Sequence, residues 1–312
     1  MSRILVSLGG NALGVDFDEL VESVGVVSRP LVSLLAEGHE IVVCHGNGPQ
    51  VGMIKTDIDL GKAGLHEDRA MPLSECVAMS QSYIGYHLQN AIENQLRLQG
   101  VPARTVMTVV SRTLVDPDDP AFAHPTKPIG AFFTEEQAEP YVATGKTFVE
   151  DSGRGWREVV ASPRPLELLE SDAVQELVAA GHLVIAGGGG GIPVIEHAGW
   201  IRAIDAVIDK DLTSVLLAVD TGCDTLVILT GVEKVALDFG RPTQVDLDHL
   251  TADDAARHLA GGQFPPGSMG PKVEAAIDFV RSAPGRRCLI TSLDKLREGL
   301  RGDTGTWIEA SR

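Results

Sequence analysis

One unit recurs along this chain and limits its possible folds: a short apolar run that ends in glycine and gives way to helical periodicity. Residues 4–8 (ILVSL) run into Gly9-Gly10-Asn11, and a periodic segment follows over about 16–36. Residues 41–44 (IVVC) run into His45-Gly46-Asn47-Gly48-Pro49-Gln50, and residues 183–186 (LVIA) into five consecutive glycines at 187–191. Further strands are expected at 104–110, 226–229 and 288–290, with an edge strand at 305–308. Helices are expected at 74–98, 172–180, 272–281 and from about Asp211. Strand, turn and helix in alternation predict an α/β fold with a parallel sheet between two helical layers.

The 312 residues are enough for one large domain of this kind, read here as a single unit over 1–312. Prolines at 117, 120, 125, 128 and 140 break the pattern over 111–162, which reads as an inserted subdomain or lid. Lys and Arg total 26 against 43 Asp and Glu, a net charge of −17. Such a surface repels nucleic acid and anionic membranes, so neither is expected as a partner. An anionic substrate would have to be drawn in by local positive groups. Cys44, Cys76, Cys223 and Cys288 lack paired spacing and read as reduced core thiols. No apolar run reaches membrane-spanning length, and charged residues return by Asp16, against a signal peptide. A cytoplasmic protein is expected.

Ligands of open α/β sheets bind at the carboxyl ends of strands, where glycine lets backbone approach phosphate and helix N-termini offer free N–H groups. One glycine turn is equally a tight connection; three favour an anion-binding crevice. Other phosphate motifs do not fit. Gly145-Lys146-Thr147 lacks the first glycine of a P-loop, because residue 140 is proline, and Ile192 breaks the dinucleotide pattern. Protein-kinase signatures, zinc spacings and a serine-hydrolase elbow are missing.

Three lysines stand out. Lys210 lies between Asp209 and Asp211 just before an apolar helix, a place that suits either a simple cap or a cation held toward phosphate. Lys272 opens a helix, where the macrodipole disfavours a cation, so a shared anion would explain it. Lys127 sits between stiffening prolines on the insertion.

With these residues in view the sequence resembles carbamate kinase, within the amino acid kinase family. The matching stretches include SLGGNAL (7–13), HGNGPQVG (45–52), PTKPIGAFFTEEQA (125–138), EDSGRGWREVVASPRP (150–165), AVIDKDL (206–212) and QFPPGSMGPKVEAAI (263–277). The resemblance implies a three-layer αβα sandwich around a mainly parallel sheet of about eight strands, with a protruding subdomain and a homodimer. It implies an acid-substrate lobe at 1–200 and a nucleotide lobe at 201–312, binding ATP or ADP with Mg2+. Gly9, Gly10, Asn11, Gly46, Asn47 and Gly48 would cradle carbamate and the moving phosphoryl group. Lys210, Lys272 and Lys127 would neutralise phosphate, with Asp211 orienting the lysines. Asp209, Thr230, Gly231, Val235, Met269, Gly270 and Lys272 would lie on the nucleotide. No metal ligand is assigned to the protein.

The chain departs from the family pattern at Gly231, where aspartate is usual, at Ala161, at Ile204-Asp205 and over 53–65. Related kinases also carry lysine where Ser7 stands, so Lys127 is expected to supply that missing charge from the lid. The implied reaction, ATP + carbamate ⇌ ADP + carbamoyl phosphate, needs no general base, because the attacking oxygen is already anionic. The alternatives are a kinase of another small carboxylate or phosphonate, or a weakly active nucleotide-binding regulator.

Overall fold

The computed structural model describes residues 1–14, 16–64, 70–143, 145–150, 155–265 and 267–311, apart from the side chains of residues 11, 12, 62–64 and 131. Eight strands form the main sheet: β1 (Arg3–Leu8), β2 (Glu40–His45), β3 (Val106–Thr108), β4 (Leu183–Ile185), β5 (Thr225–Thr230), β6 (His249–Thr251), β7 (Arg287–Ser292) and β8 (Thr306–Glu309). Their order is β6-β8-β7-β5-β1-β2-β4-β3. All adjacent pairs are parallel except β7 and β8. The helices are α1 (Phe17–Ala36), α2 (Gly48–Gly64), α3 (Leu73–Leu98), α4 (Glu135–Val142), α5 (Ser171–Ala179), α6 (Lys210–Asp220), α7 (Ala252–Ala260), α8 (Met269–Ser282) and α9 (Leu296–Arg301).

Strand alternation builds the three layers. Ile4, Val6 and Leu8 of β1 face one core with Leu20, Val24 and Leu31 of α1 and Ile84 and Leu88 of α3. Leu5 faces the opposite core, with Leu217 of α6 and Val273, Ala276 and Val280 of α8. Side chains two apart on a strand share a face, so β1, buried on both sides, reads from Ile4 as an apolar run broken only by Ser7. The α1 stripe recurs at helical spacing, and the Asp16 side chain caps the helix by accepting from the Glu19 N–H. All four cysteines are buried free thiols. Among the described residues no helix is long and apolar enough to cross a membrane.

Two expectations change. The strand at 305–308 is not an edge: β8 lies between β6 and β7, and β6, only three residues long, closes the sheet. The helix α2 was not anticipated, because its four glycines and scattered apolar residues hide any periodicity.

Within 111–162, strands Lys127–Phe133, Thr147–Glu150 and Trp156–Val160 form a small antiparallel sheet. Phe133, Tyr141 and Phe148 cluster with α4 against it. Arg112–Val115 belongs elsewhere. It pairs antiparallel with Pro165–Leu168, in a four-stranded sheet completed by Ile192–His197 and Trp200–Ala203. The inserted segment, expected as a lid, therefore leaves and rejoins the body at neighbouring strand ends. Gly153 and Arg154 of the lid motif lie outside the described residues.

Candidate active site

The carboxyl ends of β1, β2 and β5 open on one edge of the sheet, since these strands are mutually parallel. A cleft of about 300 Å³ lies there, with Gly9, Gly10, Gly46, Asn47 and Gly48 on one side and Thr230 and Gly231 on the other. The first two glycine turns touch each other. A Cβ on Gly46 would fall 2.5 Å from the Gly10 backbone nitrogen, so no side chain fits. The Gly46 N–H donates to the Leu8 carbonyl at 2.8 Å and the Gly9 N–H to that of Leu229 at 3.0 Å, extending the sheet ladder into the turns. Asn47 is buried, and its amide donates to Ser80 Oγ on α3. Asn11 lies in the 3₁₀ turn Gly10–Leu13 after Gly9, with its side chain outside the described residues.

The third glycine turn serves mainly a different purpose. Gly188, Gly189 and Gly190 are buried, and the Gly190 carbonyl accepts from Thr113 Oγ1 and Thr213 Oγ1. A Cβ on Gly190 would fall 2.6 Å from the Ile208 carbonyl oxygen. This run packs strand against helix, and only Gly189 reaches the cleft.

The lysines converge on two aspartates at the start of α6. Lys210 Nζ donates to Asp211 Oδ1 at 2.5 Å, and Lys272 Nζ to Asp211 Oδ2 at 2.9 Å. One buried carboxylate thus binds two ammonium groups, one per oxygen. Burial alone would raise the Asp211 carboxyl; the ammoniums of Lys210 and Lys272 outweigh it and hold the group well below the usual carboxylate range. Burial would lower Lys272, yet Asp211 raises its pKa overall, so it stays protonated. Asp209 caps α6, its Oδ1 accepting from the Asp211 N–H, while Oδ2 pairs with Lys127 Nζ at 2.5 Å across the cleft. The Lys272 ammonium, in the first turn of α8, is committed to the buried Asp211.

Ser7 is fully buried, and its Oγ accepts from Lys210 Nζ at 2.8 Å. The charge absent from position 7 is therefore already supplied beside it by Lys210. A lysine at 7 would place two ammoniums against each other in a closed site. The Lys127 side chain stands instead on the opposite wall, paired with Asp209.

An apolar pocket of about 210 Å³ opens from the same cleft, sharing Thr230, Gly231 and Ser268 with it. Lys234, Ala236, Phe239, Phe264 and Met269 line it. Two residues expected on the nucleotide point elsewhere. Val235 turns into the core, as strand alternation requires of a neighbour of Ala236. Gly270 is buried, and its N–H bonds the Pro265 carbonyl, where a Cβ would crowd. Gly231 has open space around it and a φ outside the left-handed region, so the turn does not require glycine there. Of the other departures, Asp205 accepts from the Leu73 N–H at the start of α3, and the Ala161 carbonyl accepts from Val207 N–H. No described residue of 53–65 lines the cleft.

Several residues escaped the sequence reading, Phe264 of the apolar pocket, Arg157 and His45 among them. Arg157, on strand Trp156–Val160, lines the same cleft as Lys127; only its alternation with Glu158 could have indicated it. His45 is buried behind Gly46, with Nδ1 3.0 Å from the Gly46 carbonyl, so that Nδ1–H donates and fixes the turn. Burial lowers its pKa to about 4, so the ring is neutral. Nε2 is buried without a partner.

Glycine backbone at strand ends, ammonium groups held on buried carboxylate and an adjoining apolar pocket define a phosphoryl-transfer enzyme on an open α/β sheet. The profile described as the amino acid kinase family matches residues 2–292, and the chain belongs to that family. It is 50% identical over 306 residues to the carbamate kinase-like protein YqeA of Escherichia coli, covering 98% of each chain. It is 48% identical to a carbamate kinase of Staphylococcus haemolyticus, covering 99% of this chain and 100% of that one. Its fold matches carbamate kinase from Giardia lamblia bound to AMP-PNP, with TM-score 0.88, 40% identity and 99% of both chains covered. The same Giardia enzyme bound to citric acid matches with TM-score 0.92 and 39% identity, again over 99% of both chains. This chain is a kinase, and the relatives that it matches over their full length include carbamate kinases.

Proposed function

We propose that the enzyme catalyses ATP + carbamate ⇌ ADP + carbamoyl phosphate by in-line transfer. The observation that carries this reading is the double use of Asp211, which holds two ammonium groups side by side at a cleft walled by glycine backbone. A carbamate oxygen is already anionic, so the site has to align and neutralise rather than remove a proton. Lys210 and Lys272 neutralise the phosphoryl oxygens, each well-placed donor being worth about 3 kcal/mol. The glycine turns at Gly9-Gly10 and Gly46–Gly48 wall the part of the cleft that receives the small acid. Lys127, carried by the lid, leaves Asp209 for the phosphoryl group as charge develops. The base and ribose enter the pocket lined by Ala236, Phe264 and Met269, which makes 201–312 the nucleotide lobe and 1–200 the acid lobe.

Magnesium fits this site as a passenger on the nucleotide phosphates. Among the described residues no three His, Cys, Asp or Glu side chains form an ion cage, and Mg2+ commonly binds through substrate phosphates with one or two carboxylates. Asp209 is the carboxylate placed to share it, and the ion's chemistry is neutralisation of phosphate oxygens. The reading also includes a cytoplasmic homodimer. Phe17, Val21, Met79 and Tyr86 are exposed on α1 and α3, and Phe17 and Tyr86 both pack on His87, which supplies an apolar face for a second copy.

The test is carbamoyl phosphate with MgADP, followed by ATP formation. Rapid ATP synthesis is expected, and acetyl phosphate should serve far less well. Tight ADP binding with no ATP from any acyl phosphate would favour a regulatory nucleotide binder instead.

A further inference from the structure

The lid strand Lys127–Phe133 meets α2 through bare backbone. A Cβ added to Gly52 would fall 2.0 Å from Gly130 Cα and 2.5 Å from Gly130 N. Real Cβ atoms do not come so close to backbone, so the contact exists only because residue 52 has no side chain. The converse does not hold. A Cβ on Gly130 would meet Gly52 Cα at 3.6 Å, an ordinary contact, although φ there is +69°. Next along the strand, Ile129 is 4% exposed and packs with Val51, Val77 and Val207. Beyond Gly130 the strand and the helix diverge around a cavity of about 240 Å³, walled by Lys55 and Thr56 on one side and Phe133 and Phe148 on the other. The lid strand is thus seated on α2 at residues 129 and 130. Two residues before that seat stands Lys127, whose ammonium reaches Asp209 across the cleft.

We infer that Gly52 is a positioning residue: its lack of a side chain seats the lid strand on α2 and so sets how far Lys127 reaches into the cleft. The inference rests on the role given to Lys127 above. A methyl group at 52 lifts the strand by roughly 1.4 Å, the difference between 2.0 Å and a 3.4 Å contact. Misplacing a catalytic group by about 1 Å can cost on the order of 100-fold in rate. The apolar nucleotide pocket includes no residue of the lid or of α2, so nucleotide binding is left alone.

A double-mutant cycle on the full chain tests this. Gly52→Ala, Lys127→Ala and the double variant are assayed with carbamoyl phosphate and MgADP, with ADP affinity measured by calorimetry. Gly52→Ala should lower kcat about 30- to 100-fold and move the ADP dissociation constant less than about twofold. In the Lys127→Ala background the same change should have almost no further effect, because the group it displaces is gone. Parental kcat in Gly52→Ala overturns the inference. So does a loss that persists without Lys127, since Gly52 would then act through α2 or the fold. Parental activity in Lys127→Ala itself overturns the role assigned to Lys127, and with it this inference. If thermal melting shows Gly52→Ala to be unfolded, Ile129→Ala loosens the same seat without overlap. It must reproduce the kcat-only loss that vanishes without Lys127; an Ile129→Ala enzyme with parental kcat overturns the inference.

Discussion

Asp211 is the residue on which the site's electrostatics depend. Lys272→Ala should reduce transfer by about two to three orders of magnitude, on the scale of a lost oxyanion donor. It should also lower stability by about 2 kcal/mol, because a buried carboxylate loses one of two charge-assisted bonds. Steady-state kinetics and urea unfolding check both; a variant that melts like the parent would mean that Asp211 does not rely on Lys272. His45 sets a pH dependence. Its ordinary value of 6.5 falls to about 4 in the fold. Between those values the unfolded chain binds a proton that the folded one excludes, so stability falls as pH drops from 6.5 toward 4. The full window amounts to about 3 kcal/mol, and this slope should disappear in His45→Gln. Asp211 adds acid lability only below its ordinary 3.8, because its folded pKa is depressed. At Gly231, aspartate should be accepted without strain. The expected change in stability for Gly231→Asp is within about 0.5 kcal/mol, and a large drop in melting temperature would show that the turn needs glycine after all.

At the scale of elements, the start of α6 combines two functions in Asp209. One oxygen caps the helix and the other pairs with the lid. Substitutions can separate them. Asp209→Asn keeps a capping oxygen and loses the charge, so its stability should match the parent's while lid-dependent turnover changes. Asp209→Ala loses both and should cost about 1 kcal/mol more. Equal melting temperatures for the two variants would mean that the cap contributes nothing. The helix itself was legible from Asp209-Lys210-Asp211 ahead of an apolar run. Its approach to Ser7, more than two hundred residues earlier, was not, because that contact follows from β1 lying beside β5.

At the scale of the molecule, the lid is an insertion in a hairpin-like pair. Val115 and Pro165 are register partners, so a short turn replacing 117–163 can close the connection. Such a variant should still melt cooperatively and bind ADP, since the apolar pocket contains no lid residue. It should melt at lower temperature, because Ile129 no longer covers Val51, Val77 and Val207, and phosphoryl transfer should fall at least 100-fold with the loss of Lys127. Loss of ADP binding in a folded variant would show that the lid also builds the nucleotide site.

The sequence by itself determined seven of the eight main-sheet strands, the glycine turns, the layered α/β architecture and the three lysines, because these depend on local periodicity and on residue types with few alternative uses. It did not reveal α2, whose glycines serve a backbone contact with a distant strand, or the place of β8 inside the sheet. It also could not separate Gly46, which must be glycine because Gly10 is against it, from Gly231, which has open space around it. The resemblance implied that Asp211 orients the lysines, but tertiary structure decided that Lys210 and Lys272 each take one of its oxygens. Residues 7, 211 and 272 meet only after the sheet has set its strand order, and a charge's partner depends on distance in space, which a linear pattern does not encode.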